Sequence, residues 1–396
     1  MSGPTFQIDP HRHYREMRRD HGPVVPVVLD GGVPAWLVIG YRELHQVTSE
    51  PELYSRISDG WNQWELIPDD WPLLPMVAHG KPSILNTVGD RHRERVTMIN
   101  TALERVDPFL LKQDAEEVAD ALIDDFCTRG EAEIVSQYAL LLPISVLSKL
   151  FGFSDEQVNE VVDTHKKVID DAMESFLKAV RSVHELVARK AEEPGPDVAS
   201  RMLENTSGFT DVEIINDLLV MMAAGHQPIA DWISSSVRLT LTDERFAASL
   251  SGGRHYVAEA MNEVLWEDTP TQNVAGRWAT RDTRLGNHDI RSGDLLILSY
   301  AGANFDPQVR TDSSTLTGGN SAFFSFGHGE HRCPFPAQEI AEVIARTGIE
   351  VLLDRLPDID LAVSAEELVR RPSPWFCGLD RLPVRFTPTP VVGGTS

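Results

Sequence analysis

The chain has 396 residues, 42% of them hydrophobic, with 36 Lys and Arg against 60 Asp and Glu and a formal net charge of −24. This is an ordinary globular composition, and a chain of this length can bury a core large enough to need no disulfide or zinc staple. Three scattered cysteines, Cys127, Cys333 and Cys377, exclude a secreted disulfide framework. The acidic balance offers no basic stripe for phosphates, which argues against nucleic acid and anionic membranes and leaves a basic protein as an acceptable partner. No stretch reaches the roughly 18 apolar residues of a membrane span, so the chain reads as a soluble, cytoplasmic protein without a membrane anchor, one domain over residues 1–396.

In chain order, Val24–Val28 and Ala35–Ile39 flank Asp30-Gly31-Gly32 and predict a hairpin of two short strands. Residues 55–81 lose any period of 2 or 3.6 and carry Trp61, Trp64 and Trp71, the pattern of an ordered lid or binding loop. From Arg91 to about Lys190, apolar residues recur at helical spacing, with breaks at Asp107-Pro108, Arg129-Gly130 and Gly152-Phe153-Ser154. Thr210 and Glu213 have capping-box spacing and open a helix of roughly 30 residues, apolar over much of its surface and so expected to run through a core. Ala224-Gly225-His226-Gln227-Pro228 lies inside it, and the proline is expected to kink or open the helix. A helix from His255 to Trp266, short strands over residues 277–300 and a helix from Pro336 to Leu353 complete the pattern, which is mainly α with small β-sheets.

The segment richest in chemistry is Phe324-Ser325-Phe326-Gly327-His328-Gly329-Glu330-His331-Arg332-Cys333, followed by Pro334-Phe335-Pro336 and a helix. Three readings of the cysteine stay open on the residues alone. It can be a buried structural thiol. It can be a zinc ligand with His328 and His331, although a fourth ligand is missing and the spacing fits no common zinc module. It can also be the axial thiolate of a haem, with Phe and Gly packing against the flat porphyrin.

The loop resembles the cysteine-ligand signature of the cytochrome P450 family, with Phe326, Gly327, Gly329, His331 and Cys333 in the matching places. Ala303-Asn304-Phe305-Asp306-Pro307 is similar to the family's AN-x-DP stretch, and Ala224 and Gly225 fall in what resembles the long central helix across the haem. The resemblance implies the cytochrome P450 fold and haem b, with Cys333 as axial ligand to the iron. It implies that His92, Arg277 and His331 bind the propionates. Arg95 is a further candidate, three residues after His92 where the family more often has an Arg at four. It implies a monooxygenase that inserts one oxygen atom into a small apolar substrate, with electrons from a ferredoxin-type partner and the three tryptophans near a lid over the distal side.

Departures from the family pattern bear on activity. Gln227 and Pro228 occupy the places of the acid and alcohol that relay protons during oxygen activation, and neither side chain can supply an acidic proton. His226 is expected to point away from the haem. Glu263-Val264-Leu265-Trp266 keeps the Glu of the ExxR pair and replaces its Arg by Trp, as in an actinobacterial subgroup of the family, so Glu263 needs another cation or water. Phe335 stands where the family has Gly. Pro334 and Pro336 have no N–H to offer the sulfur, which predicts a more electron-rich thiolate and a lower haem potential. Two rivals to the monooxygenase follow: a haem enzyme of atypical chemistry, such as peroxide-driven oxidation or rearrangement, and a haem- or partner-binding protein without catalysis.

Overall fold

The computed structural model describes residues 6, 8–68, 70–78, 81–160, 172–204, 208–247, 255–309 and 320–393. Residues 161–171 of the expected helical stretch lie outside them. The chain divides into two compact units, each assembled from several stretches of sequence.

The first unit contains residues 1–93, 265–333 and 372–377 and is organised by a five-stranded mixed sheet. Its strands are β1 (Val24–Leu29), β2 (Val33–Val38), β3 (Tyr54–Ser55), β4 (Asn273–Ala279) and β5 (Leu295–Ser299), in the order β1-β2-β5-β4-β3. The expected hairpin forms β1 and β2, with Val24 opposite Val38 and Gly31 and Gly32 at φ 81° and 82° in its turn, where a Cβ would be strained. β2 pairs in parallel with β5, Trp36 facing Leu296, and the remaining pairs are antiparallel. The turn signals at Gly286 and Gly293 (φ 57° and 82°) bound the hairpin Thr283–Leu285/His288–Ile290 and the entry to β5.

Trp61 and Trp71 are buried in the core of this unit, in one cluster with Trp278, Leu37, Leu295 and Ile297. The Trp61 ring lies 6.0 Å from Trp71 and 6.1 Å from Trp278. This corrects the expected lid: two of the three tryptophans pack against the sheet, because rings of that area gain most by leaving water. Only Trp64 keeps substantial exposure, at 38%.

The second unit, residues 94–264, 334–371 and 378–396, is helical. The long helix Asp211–Thr242 packs on Leu141–Phe151 and on Phe335–Arg355, and the last also packs on Pro108–Asp124. Its start is the expected capping box: Glu213 N donates to Thr210 Oγ1 at 3.3 Å and Thr210 N to Glu213 Oε2 at 3.0 Å. The helix continues through Pro228. The break at Arg129-Gly130 leads into a strand the sequence pattern did not reveal, Glu131–Glu133, which pairs with Pro383–Arg385. Among the described residues no helix is long and apolar enough to cross a membrane.

Candidate functional site

The cysteine loop is shaped by its own backbone and by the AN-x-DP stretch. Gly327 N donates to Phe324 O at 2.6 Å, and Cys333 N to Phe326 O at 2.8 Å. Gly327 and Gly329 have φ 72° and 75°, and a Cβ on Gly329 would fall 2.0 Å from the carbonyl oxygen of Thr48. Asn304, fully buried, pins the start of the loop. Its Nδ2 donates to Leu265 O, Thr269 Oγ1 and Ser325 Oγ at 3.0, 2.8 and 3.2 Å, while its Oδ1 accepts from Phe324 N at 2.8 Å. Burial pushes the Cys333 thiol up to about 12, so this surrounding favours the neutral sulfur until a cation is placed against it.

Three of the expected propionate partners come together in the same unit. His92 Nε2 donates to Glu330 O at 3.0 Å, and His331 Nε2 donates to Thr87 O at 2.9 Å. The two rings stack at 4.0 Å. Arg277, 5% exposed, follows an irregularity in the β4/β5 register between Val274 and Arg277, the kind of bulge that re-aims side chains. Burial lowers the Arg277 guanidinium to about 9, helped by the neighbouring Arg56, and lowers His331 to about 2, helped by both arginines and His92. His331 is therefore a neutral ring here.

A group with a cation at its centre and two carboxylates at its edge fits these residues. Among the described residues, Arg277 Nη1 and His92 Nδ1 are buried without a hydrogen-bond partner, a costly state in a protein interior, and a cation placed against the Cys333 sulfur would favour its thiolate. Haem b supplies both the iron and the two propionates.

Arg95 differs from the expectation. Its Nη1 is paired with Asp217 and its Nη2 with Glu213 Oε1 at 2.6 Å, so this buried guanidinium is already neutralised by two acids of the long helix. Val96 stands at the fourth place after His92.

Within the long helix, Ala224 is exposed. Gly225 is explained by packing: a Cβ there would meet Leu147 Cδ1 at 2.8 Å. His226 Nε2 lies 2.9 Å from Leu140 O. Gln227 Nε2 donates to Asp231 Oδ1 at 2.9 Å, one turn further along. Asp231 also accepts from Arg371 Nη2 at 3.2 Å, and burial raises its carboxyl to about 6. Asp231, Arg371 and Arg56 were not marked by any motif. Arg56 and Arg371 stand in stretches without a recognisable pattern, and only the single Asp in an apolar helix stretch gave a signal.

The ExxR departure is accommodated on both sides. Glu263 finds Arg245 Nη1 at 3.6 Å. Trp266 is 1% exposed, donates from Nε1 to Asn320 O at 3.1 Å and meets Phe323 edge-on at 5.7 Å. Phe335, in the glycine place, is 60% exposed and begins the helix Phe335–Arg355.

No family model matches the chain. Among curated proteins it is 27% identical over 405 residues to cytochrome P450 107B1 of Saccharopolyspora erythraea, covering 96% of both chains. It is 28% identical over 388 residues to vitamin D3 dihydroxylase of Streptomyces griseolus, covering 94% and 93%. Among solved structures it is similar to CYP154C4 of a Streptomyces species, at TM-score 0.84, 26% identity and 96% of both chains. CYP154A1 of Streptomyces coelicolor follows at TM-score 0.81 and 25% identity over 96% and 98%.

Proposed function

We infer that the chain, which has the fold of the cytochrome P450s, is a haem-thiolate monooxygenase holding haem b with Cys333 as axial ligand. The observation that carries this reading is the Cys333 thiol in one unit with buried polar atoms that have no hydrogen-bond partner among the described residues, Arg277 Nη1 and His92 Nδ1. Relatives with the names of hydroxylases and a P450 monooxygenase, matched over nearly their whole lengths, support the reaction class. When bound, the haem would supply oxygen activation, and Cys333 would hold its iron as a thiolate. The chain's own residues do the rest. Arg277 would bind the propionates as a cation, with the stacked His92 and His331 rings, each anchored on a backbone carbonyl, lining the same place. Phe326 and Gly327 shape the loop that presents the sulfur. Pro334 and Pro336 withhold amides from it, and the haem potential lies below that of relatives whose loop donates N–H to sulfur. The Trp at 266 aligns the chain with the actinobacterial subgroup lacking the ExxR arginine. A ferredoxin-type donor supplies the electrons, and the substrate is small and apolar.

The deciding experiment is the absorbance of the reduced protein with and without carbon monoxide. The wild type shows the Soret band of a thiolate-ligated carbonyl at full strength, and Cys333→Ser loses it. A wild type without haem, or with only the shorter-wavelength band, overturns the reading.

Gln227 and Pro228 set how well the site delivers protons. Gln227 is engaged with Asp231, and an amide does not act as a general acid at neutral pH. The double change Gln227→Asp/Pro228→Thr is expected to raise product formation with ferredoxin, reductase and NADPH by at least about tenfold, at the low end of general acid–base effects, and to change peroxide-driven turnover far less. Equal turnover of the two proteins with the ferredoxin system removes these positions from proton delivery.

A further inference from the structure

We propose that Arg56 is a second guanidinium built to hold the haem carboxylates, taking the place of the helix arginine that Arg95, bound to Glu213 and Asp217, does not provide. The proposal rests on the haem reading above. β3 carries Arg56 to this position: Tyr54 pairs with Ala279 and Ser55 with Trp278 of β4, the strand that bears Arg277. Arg56 Nε donates to Leu85 O at 2.6 Å, and Nη1 donates to Ala275 O at 2.7 Å and Gly276 O at 3.2 Å. Three backbone carbonyls thus fix the fork beside Arg277, with Nη2 making no hydrogen bond among the described residues.

The charge at this place is out of balance. Neither Arg56 nor Arg277 has a carboxylate within ion-pair distance among the described residues, whereas Arg95, Arg355 and Arg371 each have one or two. Burial takes Arg56 down to about 10, and the Arg56 charge, with burial, helps lower Arg277. The other ionisable groups facing them are Tyr300, buried, and Glu330, which lies 3.7 Å from His331. Two like charges held together by the fold without counterions are a cost that an arriving pair of carboxylates removes. Haem b brings two. Two guanidinium cations match them in charge, and a guanidinium fork matches a carboxylate in shape.

The test is the rate at which the holoprotein releases haem to excess apomyoglobin, together with its midpoint potential. Arg56→Gln is expected to release haem about tenfold faster, the factor that about 1.4 kcal/mol of lost binding produces, and Arg277→Gln to do the same. The potential of Arg56→Gln moves negative, because a positive charge near the haem is lost. Arg56→Lys, which keeps the charge and loses the fork, holds the wild-type potential and releases haem at an intermediate rate. Wild-type haem release from Arg56→Gln, with only a lower melting temperature, makes Arg56 a structural clamp on the three carbonyls and overturns the proposal. Should the Gln variant not fold, Arg56→Lys decides: faster release than wild type supports the proposal and an equal rate overturns it. A wild type lacking the thiolate carbonyl band sinks the haem reading itself, whereas a normal wild-type spectrum with unaltered variants sinks only this inference.

Discussion

Asp231 is 1% exposed on the long helix, and Gly378 lies so close that a Cβ there would fall 2.0 Å from its Oδ1. Burial raises its carboxyl to about 6, against the opposing pull of Arg371 and Gln227. The folded state therefore holds this proton more tightly than the unfolded chain, whose Asp titrates near 4. The sign follows from linkage: stability attributable to Asp231 is greatest below about pH 4, falls as pH rises to about 6, and stays at that lower level above. Asp231→Asn removes the titration, so relative to wild type it gains on the order of 2–3 kcal/mol between pH 4 and pH 7. Urea unfolding of both proteins at several pH values checks this, and a constant difference would show that the carboxyl titrates as it does in water. At the same scale, the cysteine loop was legible because its residues are contiguous. Arg56 was not, because an arginine after a two-residue strand has no pattern until β3 is paired with β4.

At the scale of elements, the helix His255–Glu267 gives Glu263 and Trp266 independent surroundings. Glu263 and Trp266 share a helix face by their i, i+3 spacing, but the structure gives them separate partners, Arg245 and the Asn320 carbonyl. The indole fills a buried aromatic place beside Phe323. Trp266→Arg is accordingly expected to destabilise the protein by about 3 kcal/mol or more, since it buries a charge among aromatic neighbours and removes a large apolar side chain. A melting temperature equal to or above that of wild type would show that the arginine site of the family persists unfilled. The same scale explains which elements were legible. The capping box at Thr210, the glycine turn before Val33 and the proline-started helices are encoded by neighbours in sequence. The strand Glu131–Glu133 was missed because three residues carry no period, and its stability comes from pairing with Pro383–Arg385, some 250 residues away.

At the scale of the molecule, a chain with a net charge of −24 keeps two arginines and two histidines together in its sheet-bearing unit. Residues 56, 92, 277 and 331 are far apart in sequence, and the mixed sheet, the start of the helix Gly89–Leu103 and the cysteine loop bring them to one place. The overall acidity does not predict this, because net charge sums over the surface while a buried cluster is fixed by strand order.

By itself the sequence determined the helical class, the hairpin, the capped long helix and the cysteine loop, since periodicity, caps and glycine turns are local properties of the chain. It also determined that Gln, Pro and Trp stand at 227, 228 and 266. Only the tertiary structure decided that Trp61 and Trp71 are core, that Arg95 serves two carboxylates of the long helix, that Glu263 has Arg245, and that Arg56 stands beside Arg277. Each of these depends on which distant surfaces meet and on the charge and burial that result, and neither quantity exists until the chain has folded.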